Sequence, residues 1–165
     1  MQFTFHKMKQ EDAHQIAAWH YDAPYDFYDW DQDPEDLAEL LNPQSWQESY
    51  YSVFNEENEL VGLFVFKQDN LTVELGLGLR PDLTGKGLGR TFLTAGLSFG
   101  QQHFPVEVWS LSVATFNTRA IHIYEQVGFT PLNTFMHHTN GGEFEFLRMI
   151  RQRLWMTSQQ PSVMN

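Results

Sequence analysis

The chain has 165 residues, and its 10 Lys+Arg against 21 Asp+Glu give a formal charge of −11. That length predicts a single domain over residues 1–156 with a polar tail at 157–165. A composition that is 42% hydrophobic and 15% aromatic excludes wholesale disorder. Zero Cys excludes disulfides, thiolate metal sites and cysteine nucleophiles. The best apolar run, Leu60 to Phe66, falls far short of the ~20 residues of a membrane span, and the opening MQFTFHKMKQ lacks the apolar stretch of a signal peptide. The expectation is a cytoplasmic protein without a membrane partner.

Charge is unevenly distributed. From Gln10 to Phe66 there is no Lys or Arg, and 14 of the 21 acids lie there. Such a half repels phosphate backbones and favours cations, so nucleic acid is not expected as a partner. The later bases can still serve one compact anion.

Along the chain, QFTFHKM alternates as a first strand. Glu11 to His20 has Ala13, Ile16 and Ala17 at helical spacing, with His20 as a further candidate for that face. After the turn YDAPYD, Asp33 caps and Pro34 opens a second helix to about Leu41, stopped by Asn42-Pro43. Ser49–Phe54 and Leu60–Lys67 form a hairpin around NEENE, and Gln68-Asp69-Asn70 turns into a strand over Leu71–Leu79. After RPDLTGKGLG comes a helix from about Leu88 to His103, broken by Pro105, then a strand over Val106–Val113. Asn117 caps a short helix to about Gln126, with Gly128 at its C-terminal cap. Phe129–His138 and Glu143–Arg153 pair across Thr139-Asn140-Gly141-Gly142. The order β-α-α-β-β-β-α-β-α-β-β predicts an α/β (α+β) domain with a mixed sheet.

Two segments carry chemistry. In Arg80-Pro-Asp-Leu-Thr-Gly-Lys-Gly-Leu-Gly-Arg90, the glycines Gly85, Gly87 and Gly89 let main chain approach a ligand ahead of a helix N-terminus. Lys86 and Arg90 add positive charge to this anion site. A glycine-rich turn that merely caps a helix has the same composition. Its G-x-G-x-G spacing after a fourth strand matches neither the nucleoside-triphosphate loop nor the dinucleotide fingerprint. In the second segment, Asn117, Ala120 and Tyr124 share one helix face, so an amide, a small residue and a phenol would line one wall of a cleft. An amphipathic core tyrosine with a wet hydroxyl is the alternative.

Together the segments resemble the GNAT acetyltransferases. The family's pyrophosphate loop, Arg/Gln-x-x-Gly-x-Gly/Ala, is matched by Thr84-Gly-Lys-Gly87-Leu-Gly89 at both glycines, Gly87 and Gly89. Its second signature, Asn-x-x-Ala-x-x-x-Tyr-x-x-x-Gly-Phe, is met at Asn117, Ala120, Tyr124, Gly128 and Phe129. The resemblance covers nearly the whole chain. It implies a mostly antiparallel sheet of about seven strands with four helices, strands 4 and 5 splayed, and acetyl-CoA between them. The pantetheine arm would pair with Leu77, Gly78 and Leu79, and the diphosphate would sit on the amides of Gly85, Lys86, Gly87, Leu88, Gly89 and Arg90. Thr84 stands where the family has Arg or Gln, so a bracing side chain is missing, with Arg80, Lys86 or Arg90 as replacements.

The same resemblance implies N-acetylation of a primary amine within a ternary complex. Glu74 is the first candidate for general base, its alternative being a solvent-facing strand residue paired with a nearby base. Alternation puts Glu74, Gly76 and Gly78 on one strand face, which predicts room beside the acetyl group. An amide near Leu79 would stabilise the oxyanion, and Tyr124 would serve the leaving sulfur. The stretch Trp19–Asp36 interleaves acids with aromatics and has no base, so Tyr21, Asp22, Tyr25, Asp26, Tyr28 and Asp29 are expected to receive a cationic small amine, polyamine or aminoglycoside-like. A solvated acidic loop is the competing reading. Protein N-terminal or lysine acetylation, or an acyl-CoA sensor without catalysis, are the alternative functions. His137 and His138 point to opposite faces of a strand, so no metal is expected. Trp155, beside the last strand, would suit a homodimer contact.

Overall fold

The computed structural model describes residues 1–152. The proposed tail, the end of the last strand at Arg153 and the suggested dimer residue Trp155 lie outside them. Seven strands form one sheet: β1 (Thr4–Lys7), β2 (Tyr50–Phe54), β3 (Leu60–Asp69), β4 (Thr72–Leu79), β5 (Val108–Ala114), β6 (Thr130–Thr139) and β7 (Gly142–Gln152). Their order across the sheet is β1-β2-β3-β4-β5-β7-β6. Among the described residues only β4 and β5 run parallel, joined by α3 (Gly89–His103). The other helices are α1 (Gln10–Ala17), α2 (Pro34–Leu41) and α4 (Thr118–Gln126). The mixed α/β architecture with four α-helices is the one expected.

Alternation along the central strands sorts their side chains to two cores. Phe64 and Phe66 of β3 join Val73, Leu75 and Leu79 of β4 against Phe92, Leu93 and Leu97 of α3. Leu63 and Val65 face the other way, with Ala13 and Ile16 of α1 and Leu40 of α2. Each fully buried Ile or Leu contributes about 1.5–3 kcal/mol of transfer free energy, so α3 on one face and α1 and α2 on the other are pinned to the sheet. At Gly96, an added Cβ would overlap the buried ring of Phe64, which shows how closely α3 lies on β3.

Three differences from the sequence expectation matter for the site. Helix α1 ends at Ala17, so His20 is not on its face; the His20 ring instead bonds the carboxylate of Asp29 at 3.0 Å. The turn after α1 holds two short 3-10 segments, Tyr25–Tyr28 and Trp30–Gln32. Asp33 caps α2 as expected, accepting from the amides of Glu35 (3.0 Å) and Asp36 (3.1 Å), but its second oxygen also accepts from Thr139 Oγ1 (2.9 Å) and Asn140 N (3.1 Å). The β6–β7 turn is thereby tied to the loop over the sheet.

Candidate active site

The parallel register between β4 and β5 runs only from Thr72–Val108 to Glu74–Ser110, although β4 continues to Leu79 and β5 to Ala114. Beyond Glu74 the strands part. Arg80 N donates to Val61 O at 2.7 Å, and antiparallel pairs alternate, so the main-chain groups of Leu77 and Leu79 face away from β3 into the gap. Tyr21 takes one of them, its hydroxyl donating to Leu79 O at 2.8 Å. The amide of Leu79 and both polar groups of Leu77 stay on the gap. The opening is part of a cleft of about 890 Å³.

At one end lies the glycine turn. Gly85 and Gly87 have φ of +71° and +78°, the left-handed region that side chains with a Cβ resist. Nothing lies within 4 Å of where a Cβ on Gly87 would stand. Helix α3 then starts at Gly89 with no capping side chain, so its first amides retain their hydrogen-bonding capacity toward the cleft. Thr84, Gly85, Gly87 and Gly89 line the cleft. The side chains of Lys86 and Arg90 do not, and Leu88 packs toward the core instead. Arg80 cannot replace the missing brace: Asp82 holds it at 2.6 and 3.1 Å, with Glu59 at 3.3 Å and Leu60 O at 3.2 Å. Thr84 turns its hydroxyl to Pro81 O at 2.7 Å.

Helix α4 supplies the facing wall, and Asn117, Ala120 and Tyr124 all line it as spacing predicted. Asn117, 8% exposed, caps the helix through Oδ1 to Ala120 N (3.1 Å) and donates from Nδ2 to the Tyr28 hydroxyl (3.2 Å). One residue thus fixes both the helix start and a phenol of the loop after α1. Burial, with Tyr28 nearby, pushes the Tyr124 phenol well above the ordinary value, so it keeps its proton. Its hydroxyl has no hydrogen-bond partner among the described residues. Arg119, which the sequence reading passed over, also lines the cleft beside Gly85.

Of the expected acceptor residues, Tyr21, Tyr25, Tyr28 and Asp29 line the cleft. Asp22 and Asp26 do not; Asp26 belongs to a separate shallow hollow with Phe27, Phe116 and Phe144. The acidic run is irregular 3-10 structure, so its acids do not share one side. Asp29 is 8% exposed and accepts from His20 and from Tyr21 N (2.9 Å), which makes it a tether of the loop. The oxygens of Asp29 and Asp31 and a ring nitrogen of His20 gather within 4.8 Å, a grouping built around that tether. His137 lines the cleft while its neighbour His138 does not.

Sequence reasoning had Asp33 and Asp36 within the acidic acceptor stretch without choosing them as contacts, and missed Phe135, His137 and Arg148; the first two come to the cleft from the start of α2 and the others from the β6–β7 pair. Asp36 stands apart: among the described residues its carboxylate makes no hydrogen bond or ion pair. Burial first, then the charges of Asp33 and Glu39, raise its pKa, while His137 and Lys67 act the other way. Glu74 lies where the strands part, its carboxylate 3.5 Å from Arg148, each about half exposed. The room expected beside Gly76 and Gly78 is narrower than predicted. A Cβ on Gly78 would stand 2.8 Å from Leu63 Cδ2 and one on Gly76 3.4 Å from Val65 Cβ, so β3 side chains lean over these glycines.

Residues 2–130 match the family model for the acetyltransferase (GNAT) domain. A mycothiol acetyltransferase of Propionibacterium freudenreichii is 41% identical over 58 residues, 35% of this chain and 18% of that protein. A spermidine N(1)-acetyltransferase of Vibrio cholerae is 27% identical over 119 residues, 69% of this chain and 65% of that protein. The matches thus span less than two thirds of either relative. A crystal structure of spermidine N-acetyltransferase from Vibrio cholerae in complex with CoA and spermine has a TM-score of 0.74 at 21% identity, over 92% of this chain and 95% of that one. Together with the splayed strands and the family signature on α4, these similarities establish that the chain belongs to the GNAT acetyltransferase family.

Proposed function

We propose that the protein moves an acetyl group from acetyl-CoA to a primary amine on a small cationic acceptor, most specifically a polyamine. The observation that carries this reading is one cleft with two chemically different ends. A left-handed glycine turn and uncapped helix amides at one end suit a diphosphate, and carboxylates among aromatic rings at the other suit an ammonium. The relatives named for spermidine support the choice of a polyamine. A reaction that consumes acetyl-CoA is expected in the cytoplasm, and among the described residues no helix is long and apolar enough to cross a membrane.

Coenzyme A fits the residues present: the turn at 85–87 is open, and Leu77 and Leu79 present unpaired main-chain groups to a pantetheine arm. Asn117 and Ala120 shape the wall opposite, with Ala120 giving clearance. Acetyl-CoA supplies an acyl group activated as a thioester.

The incoming amine must first lose a proton, since an alkylammonium has a pKa of about 10. Glu74 is the proposed base, directly or through water. Its contact with Arg148 is exposed on both sides and worth about 0–1 kcal/mol, so a cationic acceptor displaces it readily. The amine nitrogen bonds the carbonyl carbon, the Leu79 amide holds the oxygen that gains charge, and the C–S bond then breaks. An ordinary thiol has a pKa near 8.5, and the Tyr124 phenol lies far above it. Tyr124 therefore stabilises the departing thiolate as a hydrogen-bond donor and retains its own proton; the nitrogen, which bonds the carbon with one proton more than the amide keeps, releases it to solvent, and the thiolate takes its proton from solvent. The test is Tyr124→Phe: we expect kcat to fall about tenfold or more, a loss of ~1.4 kcal/mol, with coenzyme A still bound. An unchanged kcat would remove Tyr124 from the reaction.

A further inference from the structure

The missing brace of the phosphate turn has a replacement on a different element. Arg119 sits in the first turn of α4, and its Nη1 is 3.6 Å from where a Cβ on Gly85 would stand. Its guanidinium carbon lies 4.0 Å from the centre of the Tyr25 ring, a cation–π contact that sets the side chain's direction. Among the described residues it makes no ion pair and no hydrogen bond. The other basic side chains near the turn are engaged or point elsewhere: Arg80 is held by Asp82 and Glu59, and Lys86 and Arg90 do not line the cleft. A guanidinium without an anion, held by an aromatic face beside a left-handed glycine, suits a phosphate, which it can contact with two parallel N–H donors.

We infer that Arg119 is the side-chain phosphate ligand of the coenzyme A site, and that Tyr25 acts through Arg119 as its positioning residue. Tyr25 then serves the nucleotide end of the cleft, although it belongs to the loop from which the sequence predicted acceptor contacts. The loop over the acceptor and the turn under the diphosphate meet at this pair. The inference rests on the proposed coenzyme A site and adds to it a ligand from α4.

Calorimetric titration separates the two claims. Coenzyme A and pantetheine, which lacks all three phosphates, are titrated into the wild-type chain and into Arg119→Gln, Arg119→Lys, Tyr25→Phe and Tyr25→Leu, with thermal melts to confirm folding. Arg119→Gln should weaken coenzyme A about tenfold or more and leave pantetheine within about twofold, because only a charge-assisted phosphate contact is lost. Arg119→Lys should restore part of the affinity. Tyr25→Phe keeps the aromatic face and should match wild type, whereas Tyr25→Leu should weaken coenzyme A several-fold. Equal coenzyme A affinity for Arg119→Gln and wild type, or equal losses for both ligands, would overturn the assignment while leaving the site itself in place. A wild-type chain that binds no coenzyme A would remove the site and this inference together.

Discussion

Tyr21 donates its hydroxyl to the carbonyl of Leu79 at 2.8 Å, joining the loop after α1 to the last residue of β4. The bond closes over the place where β4 has lost its parallel neighbour, so it orients the loop after α1, the proposed acceptor wall, and also engages a carbonyl on the gap. Burial, with Asp29 nearby, raises the Tyr21 phenol and keeps it a donor at every physiological pH. Tyr21→Phe removes one such bond, worth about 1 kcal/mol, and should lower kcat/KM for the amine about fivefold with little change in coenzyme A affinity. Steady-state kinetics with the amine varied, alongside calorimetry, check both parts.

Asp36 is expected to hold the second ammonium of a polyamine, because it is the cleft carboxylate without a partner among the described residues. Asp36→Asn should raise KM about fivefold for a diamine or triamine and leave a monoamine unchanged, the contact being worth about 1 kcal/mol after solvent screening. The pH dependence has a definite sign. Burial and like charges raise the pKa of this carboxyl in the folded state, so its charged form opposes folding and protonation relieves the cost. Asp36→Asn should therefore melt slightly higher than wild type at pH 7, with the gap closing as pH falls through the raised pKa. Loss of polyamine affinity together with gain of stability would distinguish a binding role from a structural one.

Asp33 behaves oppositely. The amide of Asn140 first, then that of Asp36, holds its carboxyl below the usual carboxylate range. Its contribution is full above the unfolded value near 3.8 and is lost as pH falls through the lowered folded value. Asp33→Ala removes a helix cap, a change worth about 0.5–2 kcal/mol, together with the tie to Thr139 and Asn140. Thermal melts at pH 7 should show the loss, and melts near pH 3 should show a smaller one.

Gly96→Ala tests the packing of α3 on β3. Alanine is the better helix former by about 1 kcal/mol, but its methyl would overlap the ring of Phe64, which is fully buried and cannot swing aside. Overpacking costs about 1–3 kcal/mol, so the net change should be destabilising and lower Tm by a few degrees. A higher Tm would mean that α3 lies farther from the sheet than described.

Much of this architecture was legible in the sequence because its signals are local. Asp33-Pro34 and Asn117 mark helix starts through their own hydrogen bonds, and the i, i+3, i+7 spacing of Asn117, Ala120 and Tyr124 puts them on one wall whatever the rest of the chain does. The acceptor end was less legible. Phe135, His137 and Arg148 reach the cleft only because β6 and β7 fold beside β5, a contact distant in sequence and silent in composition, and Asp36 reaches it from α2. The acidic run from Trp19 to Asp36 suggested a cation-binding wall, but its 3-10 geometry turns Asp22 and Asp26 away and makes Asp29 a tether. Arg119 was visible within the α4 signature; its place beside Gly85 depends on the close approach of α4 to the start of α3, where a Cβ on Gly89 would stand 2.8 Å from Ile123 Cδ1.

The most direct test of acetyl transfer is release of free thiol from acetyl-CoA by the purified chain, followed with a triamine, a diamine and a monoamine of equal length under identical conditions. The account predicts amine-dependent thiol release, fastest with the triamine and about tenfold slower or more in Tyr124→Phe. Tight coenzyme A binding with no thiol release above the buffer rate for any of the three amines would contradict it.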